Sequence, residues 1–207
     1  MILLKSSHSF IRARVVWVIL VFASLVLLSG CWVSSTEGLN EGDYLHRDAD
    51  LTFDQSLIGT WEVSEDKCTT TLTVTTEQQA FDLKAAHRGE GCSEAESKPN
   101  YYRAQLFKLD DHLFLDVSPR PDGVCEMCLP LHSIFLAKPE KDSLSLTPID
   151  SEWLKKALEQ KTVTLATRPG DTDTLTASPK DLKAFCRKYA GNREVFKPSP
   201  GFIFARK

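Results

Sequence analysis

Thr70-Thr71-Leu72-Thr73-Val74-Thr75-Thr76 alternates along its length and is rich in β-branched residues, which is the pattern of a half-buried strand. Working outward, Phe81, Leu83 and Ala85 alternate with Asp82 and Lys84, so a second strand follows a polar turn near Gln78. Tyr101 to Leu109 and His112 to Val117 predict a third and a fourth, hinged at Asp110-Asp111, with Leu113, Leu115 and Val117 on one face. Acids are common in such turns because they hydrogen-bond locally. Ser133 to Ala137 and Ser143 to Thr147 flank Pro139-Glu140-Lys141-Asp142 as another hairpin. Thr162 to Ala166, Thr174 to Ala177 and Phe202 to Ala205 are shorter strand candidates. Short strands at near-regular spacing predict a mainly β (α+β) domain, an antiparallel sandwich or barrel and not a parallel sheet.

Two segments carry helical spacing instead. After Asp150, an N-cap, Trp153, Leu154, Ala157 and Leu158 share one face while Lys155, Lys156, Glu159 and Gln160 share the other. Lys155, Lys156 and Lys161 read as a solvated face. Ser178-Pro179-Lys180-Asp181 supplies a capping hydroxyl, a proline in the first turn and an acid three residues on. Leu182, Phe185, Cys186 and Tyr189 then form an apolar stripe, and Gly191 is placed to end the helix. Both helices are expected to cover the sheet or the openings of a barrel.

The chain has 207 residues, 42% of them hydrophobic and 26% charged, which excludes a disordered, collagenous or many-spanning membrane protein. The net charge of −3 conceals an asymmetry. Residues 1–30 contain Lys5, Arg12 and Arg14 and no acid, so 22 of the 25 basic residues and all 28 acidic ones fall in 31–207. An acidic body is a poor ligand for nucleic acid, whose affinity comes largely from neutralised phosphates.

After the basic segment 1–14, Val15 to Leu28 form a fourteen-residue apolar run broken only by Ala23 and Ser24. That is shorter than the roughly 20 residues of a membrane span and suits the apolar region of a secretory signal. Leu28-Ser29-Gly30-Cys31 follows, and it resembles the lipobox of bacterial lipoproteins: a large aliphatic residue, two small residues and the thiol. The resemblance implies a signal peptide over 1–30, cleavage before Cys31, and lipid on the Cys31 thiol and the new amino terminus. The alternative from the residues alone is an uncleaved single-pass anchor. Two or more acyl chains hold a protein on a membrane essentially permanently. Trp32 stands where Asp signals inner-membrane retention, so the analogy implies the periplasmic leaflet of the outer membrane. Residues 32–50 are polar and show no period, with five acids against one Arg, and are expected to be a flexible tether within 31–50. The folded domain is then expected over 51–207.

Phe53-Asp54-Gln55-Ser56-Leu57-Ile58-Gly59-Thr60-Trp61 resembles the opening of a lipocalin-type barrel, whose first strand carries Gly-x-Trp after a short turn. The resemblance implies an antiparallel lipocalin-like barrel or half-barrel with two covering helices, in which Gly59 and Trp61 close one end. From the residues alone, Trp61 is equally a core aromatic on a first strand. No second lipocalin motif of the Thr-Asp-Tyr kind is present, and the helix near 151–160 interrupts the strand series. Through FLDVSP, LPLHSIFL and LTASPKDLKAFCRKYA the chain is also similar to a recurring type of bacterial secreted protein of unassigned activity.

With Cys31 lipidated, Cys68, Cys92, Cys125, Cys128 and Cys186 remain in an oxidising compartment, where pairing is expected. A hairpin turning near Gln78 sets residue 68 opposite about residue 88, which brings Cys92 within reach of Cys68. Such a bridge would stabilise by roughly 3.5 kcal/mol. Cys125-Glu126-Met127-Cys128 has redox spacing, but a loop precedes it and Pro130 biases Leu129 away from helix. A small structural bridge is the expectation there, with Cys186 a buried thiol or a partner of one of the pair. A zinc site would need His112 or His132 to complete it, and haem attachment would need His where Leu129 stands. No metal, cofactor or catalytic residue is expected.

Three classes of function follow. The first is a non-enzymatic, membrane-anchored envelope lipoprotein that binds a small apolar ligand or a partner protein. The second is a structural or interaction lipoprotein whose barrel is filled by its own side chains. The third is a thiol-disulfide oxidoreductase acting through Cys125 and Cys128.

Overall fold

A computed structural model describes residues 33–42, 47–77, 80–92, 98–120 and 131–207. Cys31, Cys125 and Cys128, and with them the expected lipidation site and the Cys-x-x-Cys spacing, lie outside the described residues.

Eight strands form the barrel: β3 (Gly59–Glu65), β4 (Cys68–Glu77), β5 (Ala80–Arg88), β6 (Asn100–Leu109), β7 (His112–Pro119), β8 (Ser133–Pro139), β9 (Ser143–Pro148) and β12 (Ile203–Arg206). Every neighbour is antiparallel, in the order β6-β5-β4-β3-β12-β9-β8-β7, and β7 pairs with β6 to close the ring. The strand predicted at 70–76 pairs on both sides, Leu72 opposite Trp61 and Ala85. Its alternation has a direct consequence. Leu72 and Val74 point into the barrel, while Thr71 and Thr73 stand on the outer face. Closure removes the unpaired edges that an open sheet would expose.

A short strand β2 (Leu51–Thr52) adds to β6 beside Phe107 and Leu106. A separate small sheet joins β1 (Ser34–Ser35), β11 (Asp171–Leu175) and β10 (Thr167–Arg168), with β1 parallel to β11. Thr162 to Ala166, expected as a strand, is not one. Thr162 and Val163 instead donate their backbone N–H to Ala157 O, which satisfies a helix C-terminus and buries Val163.

The helices are α1 (Ser151–Glu159) and α2 (Pro179–Tyr189), each with the cap read from sequence. The Asp150 carboxylate accepts from Trp153 N–H at 2.8 Å, and Ser178 Oγ accepts from Asp181 N–H at 3.2 Å. Lys155, Lys156 and Lys161 are exposed. Both helices cover the wall of the barrel and not an opening. Leu154, Leu182, Phe185 and Cys186 pack with Phe107, Phe114, Ile134 and Leu136, which point outward from β6, β7 and β8. This explains why Ile134 to Ala137 is an apolar run, and why Phe114 to Val117 is buried at every position with only Asp116 polar: these strands are buried on both faces.

The expected tether also differs. Residues 33–42 and 47–50 form a strap against the outer wall, with Val33, Leu39 and Asp48 buried. The lack of any repeat in this segment reflects irregular packing, not freedom. Its backbone is held by side chains: Leu39 N–H donates to Asp116 Oδ2 at 2.7 Å, and Glu41 and Asp50 N–H donate to the Asp48 carboxylate at 2.6 and 2.9 Å.

Candidate functional site

The two ends of the barrel are unlike. At one end the joints are tight: Glu77 lies opposite Ala80, Leu109 opposite His112, and Pro139 opposite Leu144. Trp61 is fully buried there, and its indole N–H donates to Leu57 O at 2.9 Å. The Arg206 guanidinium lies 4.0 Å from the Trp61 ring centroid and donates to Ser56 O, Ile58 O and Lys141 O at 2.6, 3.2 and 2.9 Å. Gly59 has φ +144, and a Cβ on it would stand 2.9 Å from Arg206 Nη1. Gly59 and Trp61 thus sit together at a closed floor, and Arg206 is the member that sequence reading missed.

The opposite end carries long connections over 89–99, 120–132 and 149–202, and only the Asp66-Lys67 turn is tight. On most strands the inward side chain nearer this end is slightly less buried, although Leu113, toward the closed end from Leu115, is half-buried too. Phe81 is 0% exposed and Leu83 5%; Leu115 is 2% and Val117 8%; Leu144 is 1% and Leu146 6%. Trp61 is sealed while Val63 is half-buried. The barrel thus has a floor of tight turns and a mouth of longer connections. A pocket of about 220 Å³ opens at the mouth between Val63, Glu65, Cys68, Thr70, Gly91 and Gly201.

Chemistry follows the same gradient. Below the mouth the inward residues are apolar, and the rim adds Thr70, His87, Asn100, Tyr102 and Ser133. Thr70 Oγ1 and His87 Nδ1 lie 3.0 Å apart. Burial pushes the Tyr102 phenol above its ordinary pKa, so it stays a protonated donor at neutral pH.

The Cys68–Cys92 disulfide forms one wall of the mouth, with Cα atoms 4.9 Å apart and a sequence separation of 24. Thr69 pairs with Arg88, so residue 68 faces the turn after β5. Gly89 makes that turn at φ +135, and a Cβ on Gly91 would overlap the Asp66 carbonyl oxygen.

A second constellation lies outside the barrel, under α2. Lys183, 2% exposed, donates to both Asp48 oxygens at 2.7 Å and to Asp50 Oδ2 at 2.8 Å, with Glu41 at 3.2 Å. Burial alone would raise the Asp48 carboxyl, but Lys183 and the backbone N–H groups of Glu41 and Asp50 hold it below its ordinary value. Burial alone would lower the Lys183 ammonium, yet its carboxylates hold it above. This cluster ties strap to helix. Nearby, Asp116 Oδ1 accepts from His132 Nδ1 at 2.7 Å, a bond that raises the His132 pKa against the opposing effect of burial. His132 is taken up by this pair, and His112 lies at the closed end beside Leu109. Among the described residues, no group of three or more His, Cys, Asp or Glu is placed to hold a metal ion. Cys186 is a free, buried thiol whose pKa burial pushes far up, which leaves it without thiolate reactivity.

These polar partners left weak traces in the sequence. Asp116 interrupts an apolar run, and Lys183 sits between Leu182 and Phe185 on the buried side of its helix. Buried charges need partners, so each was a signal that something polar faces it. No protein-family model, no curated protein and no solved structure matches the chain.

Proposed function

We propose that this chain is a lipid-anchored, lipocalin-like carrier of the bacterial envelope, held by acylated Cys31 in the outer membrane facing the periplasm, and that its barrel binds a small ligand with an apolar body. In this reading the protein is not an enzyme. The observation that carries it is the change of chemistry along the interior: sealed apolar side chains around Trp61 give way to hydroxyl, amide and imidazole groups at the mouth. An apolar floor below a few convergent polar groups is the usual form of a small-molecule site. The pocket of about 220 Å³ is smaller than the roughly 300–1,000 Å³ of such sites, so the ligand is small or enters by one end.

That modest volume also favours the second reading, a structural lipoprotein whose barrel is filled by its own side chains. Native mass spectrometry of protein released gently from its own membrane separates the two. A copurifying small molecule, lost on substituting Val63→Trp at the mouth, is the expected result. Protein that is always of bare polypeptide-plus-acyl mass supports the filled core. Growth with a labelled fatty acid checks the anchor: the wild type takes up label and Cys31→Ala does not.

A further inference from the structure

The strap fixes which end of the barrel the amino-terminal side of the chain meets. Ser35 and His132 exchange backbone hydrogen bonds, each 2.8 Å, and His132 immediately precedes β8. β8 begins at the mouth, because Ser133 pairs with Val117 and the neighbouring β7 residue Pro119 pairs with Tyr102. From there the strap descends the outer wall. Leu39 is bonded to Asp116 in mid-wall, Asp48 to Lys183, and Leu51 and Thr52 to Phe107 and Leu106 near the closed end. Residue 33 therefore stands at the mouth end, and it is clamped there.

A second observation points to the same end. The described residues include three exposed large hydrophobic side chains: Tyr101 at 52%, Leu131 at 36% and Ile203 at 47%. Tyr101 lies at the start of β6, Leu131 precedes His132, and Ile203 opens β12 two residues after Gly201 of the mouth pocket. Tyr101 and Leu131 stand at the mouth end, where β6 and β8 flank β7, whereas Ile203 pairs with Ser145, two residues from the closed-end turn, and lies on the wall. Tyr101 and Leu131 share the edge to which the strap is clamped, and they are the large apolar side chains there that a less polar phase would meet.

We propose that the barrel sits mouth-down on the bilayer that carries its anchor, so that it opens toward lipid and not toward the aqueous compartment. This rests on the acylation of Cys31 proposed above. Only Trp32 separates Cys31 from Val33, and these two residue steps reach at most about 7 Å, so an acyl anchor there leaves no tether long enough to turn the barrel over. The partner surface is a phospholipid bilayer, met by the Tyr101 and Leu131 side chains.

The test uses full-length, processed protein purified from membranes and reconstituted into phosphatidylethanolamine–phosphatidylglycerol vesicles. A donor fluorophore is attached through an azide-bearing residue at position 98, at the mouth, or at position 141, at the closed end. The acceptor is a headgroup-labelled lipid. The two ends are separated by on the order of 20 Å, so at least twofold stronger quenching of the position 98 donor is expected. Equal or inverted quenching on protein that floats with the vesicles overturns the orientation and leaves the anchor standing. Wild-type protein that fails to float, like Cys31→Ala, overturns the anchor and the orientation with it.

Discussion

The barrel interior and the layer between its wall and the helices bury comparable sets of large apolar side chains, yet they are organised on different principles. Inside, the buried residues are apolar throughout: Trp61, Leu72, Phe81, Leu106, Leu115, Phe135 and Phe204 among them. The buried polar residues of the described chain are Ser35, Asp48, Asp116, Thr147, Thr174 and Lys183, and all of them belong to the outer layer or its small sheet. The barrel can do without such groups because its backbone is paired all round and its register is set by alternation and turns. The strap has no ladder of that extent. Its irregular backbone must be satisfied by side chains, and charges placed for that purpose must be paired in turn.

The largest expected effect breaks the outer layer at its ionic centre. Lys183→Met leaves the Asp48 carboxylate buried, with its backbone donors but no cation, and is expected to cost about 3–5 kcal/mol in urea unfolding. Combining it with Asp48→Leu is expected to restore most of that loss, because two apolar residues of similar volume need no counter-charge. A double variant as weak as the single one would mean that the backbone bonds of Glu41 and Asp50 to Asp48 matter more than the charge pair.

The matching break inside the barrel is Leu106→Ala, at the sealed floor. Cavity formation there costs about 2–5 kcal/mol, and the cost should not change between pH 5 and 9, since no charged group is involved. Leu146→Ala, nearer the mouth and 6% exposed against 0% for Leu106, should cost somewhat less. Equal losses at the two positions would mean that the interior is sealed alike at floor and mouth, against the carrier reading.

How legible these two regions were in the sequence follows from the same contrast. The alternation in 70–76, the turns at Asp110-Asp111 and 139–142, and the caps at Asp150 and Ser178 are local signals, each readable within a few residues. The Cys68–Cys92 bridge was readable too, because a hairpin converts sequence distance into register. Arg206 could not be assigned to the floor beside Trp61, since the link spans the whole domain and rests on barrel closure. The strap failed for the same reason. Lys183 and Asp48 are 135 residues apart, and an acid-rich, aperiodic segment looks the same whether it is solvated or clamped. The mouth was legible only as an implication of the Gly-x-Trp resemblance, because which inward residues stay accessible depends on the loops above them.

Sharpening the comparison further, the mouth is stitched covalently where the strap is held by ions. Cys68→Ser with Cys92→Ser is expected to lower stability by about 2–4 kcal/mol, a loss seen equally at low and high salt and reproduced by reductant on the wild type. A salt-dependent loss would show that the disulfide acts through neighbouring charges instead of through the chain entropy of the unfolded state.

The smallest expected effect is a pH dependence confined to the outer layer. His132 has a raised pKa in the folded state, owing first to the Asp116 hydrogen bond and then to the Asp116 and Glu37 charges, while burial works against it. A group whose folded pKa lies above its unfolded value of about 6.5 contributes stability that is complete below that value. The contribution fades as pH rises through the folded pKa. Replacing the imidazole with a neutral donor in His132→Gln removes this contribution, so wild type should exceed the variant by more at pH 5.5 than at pH 9. Asp48 and Asp50, whose pKa values are lowered, stay ionised across that window and do not contribute to the difference. Their own contribution is present above about 3.9 and is lost as pH falls through the lowered folded values. The difference curve between wild type and His132→Gln, taken from urea midpoints at each pH, therefore isolates one clamp of the strap. A flat curve would mean that the neutral imidazole holds Asp116 as well as the charged one, so that this clamp of the strap owes nothing to the imidazolium charge.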